Sequence, residues 1–256
     1  EEEKKFLKKF YEVDYLNFDN SKNLNIYDVI SFFTLSNPLS NKVLKVKLKT
    51  FKPDIVYIHN TWFKANLGIF DILKKENVEV ILKVHNFRFA CTDTFSASKH
   101  FNGKNFCFKC GNKKKRMGIF NKYFENSYVK SFFVVLYGKR YINILKKYNL
   151  KIIALNEFCK DYLISKGVDR SKVFKSYNPF EIHESHTYSS DSKYVVYAGS
   201  LTEQKGVKDL LETWQKSKVN LKLMIIGNGQ LENEIKKKYS SKNIEFLGFL
   251  ENKKTI

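Results

Sequence analysis

The chain has 256 residues, enough for one large or two modest domains, and its 43% hydrophobic and 16% aromatic content excludes a disordered segment. No apolar run is long enough to cross a bilayer, so the protein is expected to be soluble or peripheral to a membrane. The net charge of +20 invites an anionic partner, but the lysines are spread along predicted helical faces; this ranks nucleic acid last and leaves an anionic membrane surface or a lysine-rich composition bias as explanations.

Residues 1–20 read as the end of a helix followed by a strand over Val13–Phe18. A doubly wound domain opens with a strand, a glycine turn and a helix, so a chain lacking that first strand is expected. Residues 41–51 carry an imperfect amphipathic helix that Pro53 ends, and residues 54–59 (DIVYIH) form a short apolar strand. A helix over 63–76 and a strand over Glu79–His85 complete a βαβ unit, for which parallel pairing is the rule. Both strands end in His-Asn, as His59-Asn60 and His85-Asn86, and ligands of open α/β sheets bind beyond the carboxyl ends of strands. His59 can either cap its loop or touch ligand.

Cys91, His100, Cys107 and Cys110 follow in one loop-like stretch. Thiolate and imidazole ligands suit tetrahedral zinc, but the second close pair of a four-ligand site is missing, so a plain reduced loop stands beside the zinc reading. Lys113–Arg116 is a basic run suited to lipid headgroups or to a solvated loop, and 121–148 reads as one or two aromatic-rich helices, a buried pair or a membrane-docking surface. A strand at Lys151–Leu155, a helix at Glu157–Lys166 stopped by Gly167, and a strand at Val173–Ser176 close the first domain. Residues 183–193 lack apolar periodicity and read as a linker.

Tyr194–Leu211 organises the rest: a run expected to be a buried parallel strand, the Gly199 turn, Lys205-Gly206, and a helix beginning near Gly206 with Val207, Leu210, Leu211 and Trp214 at helical spacing. Strand, glycine turn and helix N-terminus build an anion site, because unpaired N–H groups and the positive dipole end point to one place. Strands at 221–226 and 244–247 flank a helix at 231–240, and Gly227 and Gly229 repeat the glycine turn one βα unit later.

Gly199-Ser200-Leu201 followed by Lys205-Gly206 resembles the G-R-L-x-x-x-K-G signature of glycosyltransferase family 4, with Ser200 in place of the arginine. KPDIVYIHN, VHNFRFAC and the segment ending in Asn178-Pro179-Phe180 resemble further segments of that family, in its order, from about residue 50 to 250. The resemblance implies an α/β GT-B fold, with two Rossmann-like parallel-sheet domains (1–182 and 194–256) facing a cleft. It also implies a second domain that is incomplete, because the family's acidic E-x7-E segment would follow Ile256.

The implied activity is transfer of a sugar, with retention, from a nucleotide-diphosphate sugar to a glycan or lipid-linked acceptor at the cytoplasmic face of the membrane. The nucleotide sugar is a co-substrate, and no further cofactor or metal is required. His85 and Lys205 are the implied catalytic residues. Gly199, Ser200, Lys205, Gly227 and Gly229 are implied to bind donor, and His59, Asn60 and Asn86 to bind sugar or acceptor. The alternatives are an inactive remnant of that fold, or a basic nucleic-acid-binding protein with a zinc site at Cys107 and Cys110.

Overall fold

The computed structural model describes residues 2–19, 25–62, 64–89, 124, 127–179, 193–217 and 219–250. The chain divides into two compact units, Glu1–Glu181 and Ile182–Ile256.

Among the described residues the first unit is built on four parallel strands in the order β1 (Ile55–Ile58), β2 (Glu79–Val84), β3 (Lys151–Ala154) and β4 (Val173–Lys175). Ile58 pairs with Leu82, and Leu82 with Ile152, so the strand ends are nearly level and their exits form one edge. Side chains alternate along each strand. Ile58, Val80, Leu82, Val84, Ile152, Ala154 and Val173 face a core shared with helices α3 (Pro38–Phe51), α4 (Gly68–Lys75), α5 (Tyr128–Lys147) and α6 (Glu157–Ser165). The opposite face carries Tyr57, Ile81 and Lys83, and there the short helix α1 (Glu2–Leu7) brings Glu3 against the sheet.

Helix ends follow their local chemistry. Asn37 caps α3 by accepting from the Leu39 and Ser40 N–H groups, and Pro38 at the first turn needs no donor, so the helix starts earlier than residue 41. Lys52 in the left-handed conformation ends it, one residue before Pro53. The expected helix over 63–76 is shortened to Gly68–Lys75, because Trp62 to Ala65 close a local bridge first. Among the described residues, the stretch 121–148, expected to hold one or two helices, carries one of 20 residues from Tyr128, capped by Ser127.

In this unit one expected strand is absent and one helix was not expected. Residues 13–18 form no strand; that stretch has no ladder partner among the described residues, and Tyr15 is exposed. Helix α2 (Ile26–Thr34) was not anticipated, although the capping box of Asn25 and Asp28 marks its start. Its hydrophobicity is turned outward: Asp28 and Ser31 are buried, at 2% and 0% exposure, while Ile26, Tyr27, Val29, Ile30 and Phe33 face solvent. The inward polar groups are satisfied, Asp28 accepting from Asn37 Nδ2 at 2.8 Å and the Ser31 carbonyl and hydroxyl both accepting from Asn66 Nδ2 at 2.9 Å.

Among the described residues the second unit has three parallel strands, β5 (Tyr194–Ala198), β6 (Lys222–Ile226) and β7 (Ile244–Gly248), in that order. Helices α7 (Val207–Lys216) and α8 (Glu232–Tyr239) connect them and cover a core of Leu201, Val207, Leu211, Leu223, Ile225, Ile235 and Tyr239. Among the described residues β5 is an edge strand of this sheet rather than a buried one, and Tyr194 and Val195 are exposed. The Trp214 indole N–H, packed against this core, is buried without a hydrogen-bond partner among the described residues.

Candidate active site

The exits of β1 and β2 bring together four residues singled out from the sequence. His59 and His85 stack with ring centroids 5.2 Å apart, and His59 Nδ1 lies 3.0 Å from His85 Nε2. Beside them, Asn86 Nδ2 donates to Asn60 Oδ1 at 2.9 Å. The edge is fixed from behind: Asn86 Oδ1 accepts from the Arg88 N–H at 3.1 Å, the Arg88 guanidinium lies 4.3 Å above the Trp62 ring, and the buried Tyr137 hydroxyl of α5 donates to the Thr61 carbonyl at 2.6 Å. The tandem Asn and His side chains leave a row of donors and acceptors at the strand ends, a surface suited to hydroxyl-rich ligands.

Burial pushes both imidazoles below the usual histidine range; for His85 the neighbouring His59 adds to the effect, and for His59 the Glu3 carboxylate partly opposes it. Both rings therefore favour the neutral form.

Under this edge lies a polar cluster that sequence reasoning missed. The Lys83 side chain has 0% exposure and donates from Nζ to both oxygens of Glu3, at 2.9 and 3.1 Å. The Tyr57 hydroxyl donates to Glu3 Oε1 at 2.7 Å, and Glu3 Oε2 lies 3.6 Å from His59 Nε2. Desolvation works to raise the Glu3 pKa, but hydrogen bonds from Lys83 and Tyr57 outweigh it and hold the carboxyl below its ordinary value. Burial, and then the bond to Glu3, push the Tyr57 phenol well above its usual range. The available signal was Lys83 itself, a lysine inside the apolar strand EVILKV, where only a partnered charge is tolerated.

In the second unit, β5 leads to Gly199 and Ser200, then a 3₁₀ turn at Glu203–Lys205, then Gly206 with φ 67° as the cap of α7. Helix α7 thus begins where the sequence placed it. Two strand-exit loops cross here. The Gly199 N–H donates to the Ile226 carbonyl at 3.0 Å, the Leu201 N–H to the Asn228 carbonyl at 2.9 Å, and the Gly227 N–H to the Gly248 carbonyl at 2.7 Å. Gly227 has φ 128°, and a Cβ there would meet the Gly199 carbonyl oxygen at 2.0 Å; a Cβ on Gly229 would meet the Leu201 oxygen at 2.5 Å. These two glycines are required by the crossing of backbone on backbone.

Ser200 is exposed, and its carbonyl accepts from the Tyr197 hydroxyl at 3.2 Å. Lys205 is exposed as well, whereas Lys208, one turn on, is paired with Glu203 at 3.0 Å and Glu234 at 2.9 Å, bonds that raise its pKa. An open depression of about 460 Å³, lined by Lys222, Lys236, Ser241 and Ile244 among others, lies at the amino ends of β6 and β7 and includes none of the glycine-turn residues.

Cys91, His100, Cys107 and Cys110 lie outside the described residues, as does the basic run 113–116. Among the described residues no group of three or more His, Cys, Asp or Glu side chains could hold a metal ion, and no helix is long and apolar enough to cross a membrane. The described Cys159 is buried in the first core.

Two parallel sheets, each with helices covering a face and polar or glycine-rich turns at the carboxyl edge, define an α/β protein of Rossmann-like units. Residues 179–256 match the family model for group 1 glycosyl transferases. The alpha-monoglucosyldiacylglycerol synthase of Acholeplasma laidlawii is 24% identical over 219 residues, covering 80% of this chain and 50% of that protein. HepE of Anabaena, solved in complex with UDP-glucose, superposes with a TM-score of 0.52 at 14% identity over 84% of this chain and 52% of that one. Its complex with UDP gives a TM-score of 0.50 at 15% identity. The chain thus spans about half the length of the relatives it matches.

Proposed function

We propose that the protein is a glycosyltransferase that moves a sugar from a nucleoside-diphosphate donor to a glycan or lipid-linked acceptor, with retention at the anomeric carbon. The observation that carries this reading is the ordered series of β5, the Gly199 turn, Lys205, left-handed Gly206 and the start of α7, inside the segment that matches the group 1 glycosyl transferases. As the bond between the sugar and phosphate breaks, negative charge grows on the diphosphate. The N–H groups at the helix start and the Lys205 ammonium stabilise that charge more in the transition state than in the ground state. Protein charges perform this role, and the donor is a co-substrate. His85, His59, Asn60 and Asn86 orient sugar or acceptor hydroxyls from the first unit.

The acceptor side includes a membrane surface. The outward apolar face of α2 is supported by exposed Leu39, Val43 and Val46 of α3, which alternate with Lys42, Lys45 and Lys49, and by exposed Val129 and Phe132 of α5. Apolar side chains beside lysines suit an anionic lipid interface. The assay for the donor site is calorimetric titration with UDP and with UMP. Saturable UDP binding that UMP fails to match is expected, since the site reads the diphosphate; equal binding of the two, or none, would remove the reading.

A further inference from the structure

The His59–His85 contact admits two arrangements of protons. Either His59 carries its proton on Nδ1 and donates to His85 Nε2, or His85 carries its proton on Nε2 and donates to His59 Nδ1. The two differ in what His59 Nε2 presents to the cluster below: a lone pair in the first, an N–H in the second. Glu3 Oε2 stands 3.6 Å from that nitrogen, too far for a hydrogen bond but close enough for charge and dipole to interact strongly.

The carboxylate cannot swing away. Oε1 accepts from Tyr57 and Lys83, Oε2 accepts from Lys83, and the Lys83 ammonium has no exposure through which water could replace Glu3. Tyr57 also packs its ring 4.7 Å from that of His59, which limits rotation of the imidazole.

From this geometry we infer that Glu3, held by Lys83 and Tyr57, is a positioning residue that fixes His59 and His85 in their Nε2–H tautomers and leaves His85 Nδ1 as an unprotonated acceptor. A lone pair on His59 Nε2 would face a carboxylate at 3.6 Å and is disfavoured, so the second proton arrangement prevails. The consequence is chemical: His85 offers ligand a bare ring nitrogen, which accepts from a hydroxyl and cannot donate to one. A hydroxyl donor such as a sugar or acceptor OH is therefore selected at that nitrogen; this last step rests on the glycosyltransferase reading, whereas the tautomer assignment does not.

The test is ¹⁵N NMR of the imidazoles in the full chain at neutral pH, for the native protein, Glu3→Gln, and the double variant Glu3→Gln/Lys83→Met. The native protein is expected to show the Nε2–H pattern for both rings. Glu3→Gln should lose the single pattern at His59, with its titration midpoint moving down, because the carboxylate that favours the charged form is gone while Lys83 remains. The double variant removes both charges together, so its fold survives even where Glu3→Gln is too unstable to study, and it should show the same loss of a single tautomer. An Nδ1–H pattern at His59 in the native protein overturns the inference, and so does an unchanged Nε2–H pattern in a folded double variant. Absence of nucleotide binding would defeat the proposed function and leave these spectra unaffected, so the two failures are distinguishable.

Discussion

The Glu3–Lys83 pair predicts an asymmetry that a simple count of ion pairs would not. The Lys83 side chain is 0% exposed, whereas that of Glu3 is 23% exposed. Replacing Glu3 by Gln strands a buried ammonium that water cannot reach, and losses of about 3–5 kcal/mol follow when one partner of a buried pair is removed. Replacing Lys83 by Met, which has a similar length, leaves a carboxylate that still accepts from Tyr57 and reaches solvent, so the cost should be about 1–2 kcal/mol. The double replacement should lie within about 1 kcal/mol of native, because it leaves no buried charge unpaired and the amide put at position 3 can still accept from Tyr57 and reach solvent.

Urea unfolding resolves these differences. With a slope of about 2 kcal/mol per molar, Glu3→Gln should lower the midpoint by roughly 2 M and Lys83→Met by about 0.5–1 M. The protein has two tryptophans, Trp62 in the first unit and Trp214 in the second, so a Trp214→Phe background makes the fluorescence report on the first unit alone. That background should be mild, since the Trp214 N–H has no partner among the described residues. Equal costs for the two single replacements, or a larger cost for Lys83→Met, would refute the reasoning.

Gly227→Ala should destabilise the second unit by about 3–5 kcal/mol, from backbone strain at φ 128° and the collision with the Gly199 oxygen. Gly248→Ala, at φ 72° but with nothing within 4 Å, should cost only about 1–2 kcal/mol; thermal unfolding read from Trp214 in a Trp62→Phe background compares them. The depressed pKa values of His59 and His85 mean that the unfolded chain binds more protons than the folded one below the ordinary value of 6.5. Their contribution to stability is therefore fully present above pH 6.5 and is lost as pH falls toward the folded values. Urea midpoints at pH 5.5 and 7.5 should differ less in a His59→Gln/His85→Gln variant than in the native protein. Ile30→Glu/Phe33→Glu should reduce sedimentation with vesicles containing anionic lipid, and raised salt should do the same; equal binding by both forms would separate the α2 face from any membrane contact.

The parts of the fold visible in the sequence were those set by local pattern. The βαβ unit, the strand ends at His59 and His85, and the start of α7 after Gly206 follow from apolar runs and turn residues, and the structure has them there. The strand expected over 13–18 rested on residue types alone, and without a neighbouring strand to supply the ladder its backbone forms none. Helix α2 escaped because its polar face is the buried one, so the usual link between hydrophobicity and burial is inverted, and only the Asn25–Asp28 box marked it. Glu3 was illegible for a different reason: it lies 80 residues from Lys83 in the chain, and nothing local connects them. The glycine turns were legible as turns, but the crossing that requires Gly227 and Gly229 depends on the loop after β5, a neighbour in space.

The central claim is that the turn after β5 holds a nucleoside diphosphate with the help of Lys205. Titration of UDP into the native chain and into Lys205→Ala tests it most directly. Lys205 is exposed, so the replacement should leave the urea midpoint unchanged, while the affinity falls by about 1–3 kcal/mol, the scale of a charge-assisted hydrogen bond. Undiminished UDP affinity in a folded Lys205→Ala protein, or no UDP binding by the native chain, would contradict it.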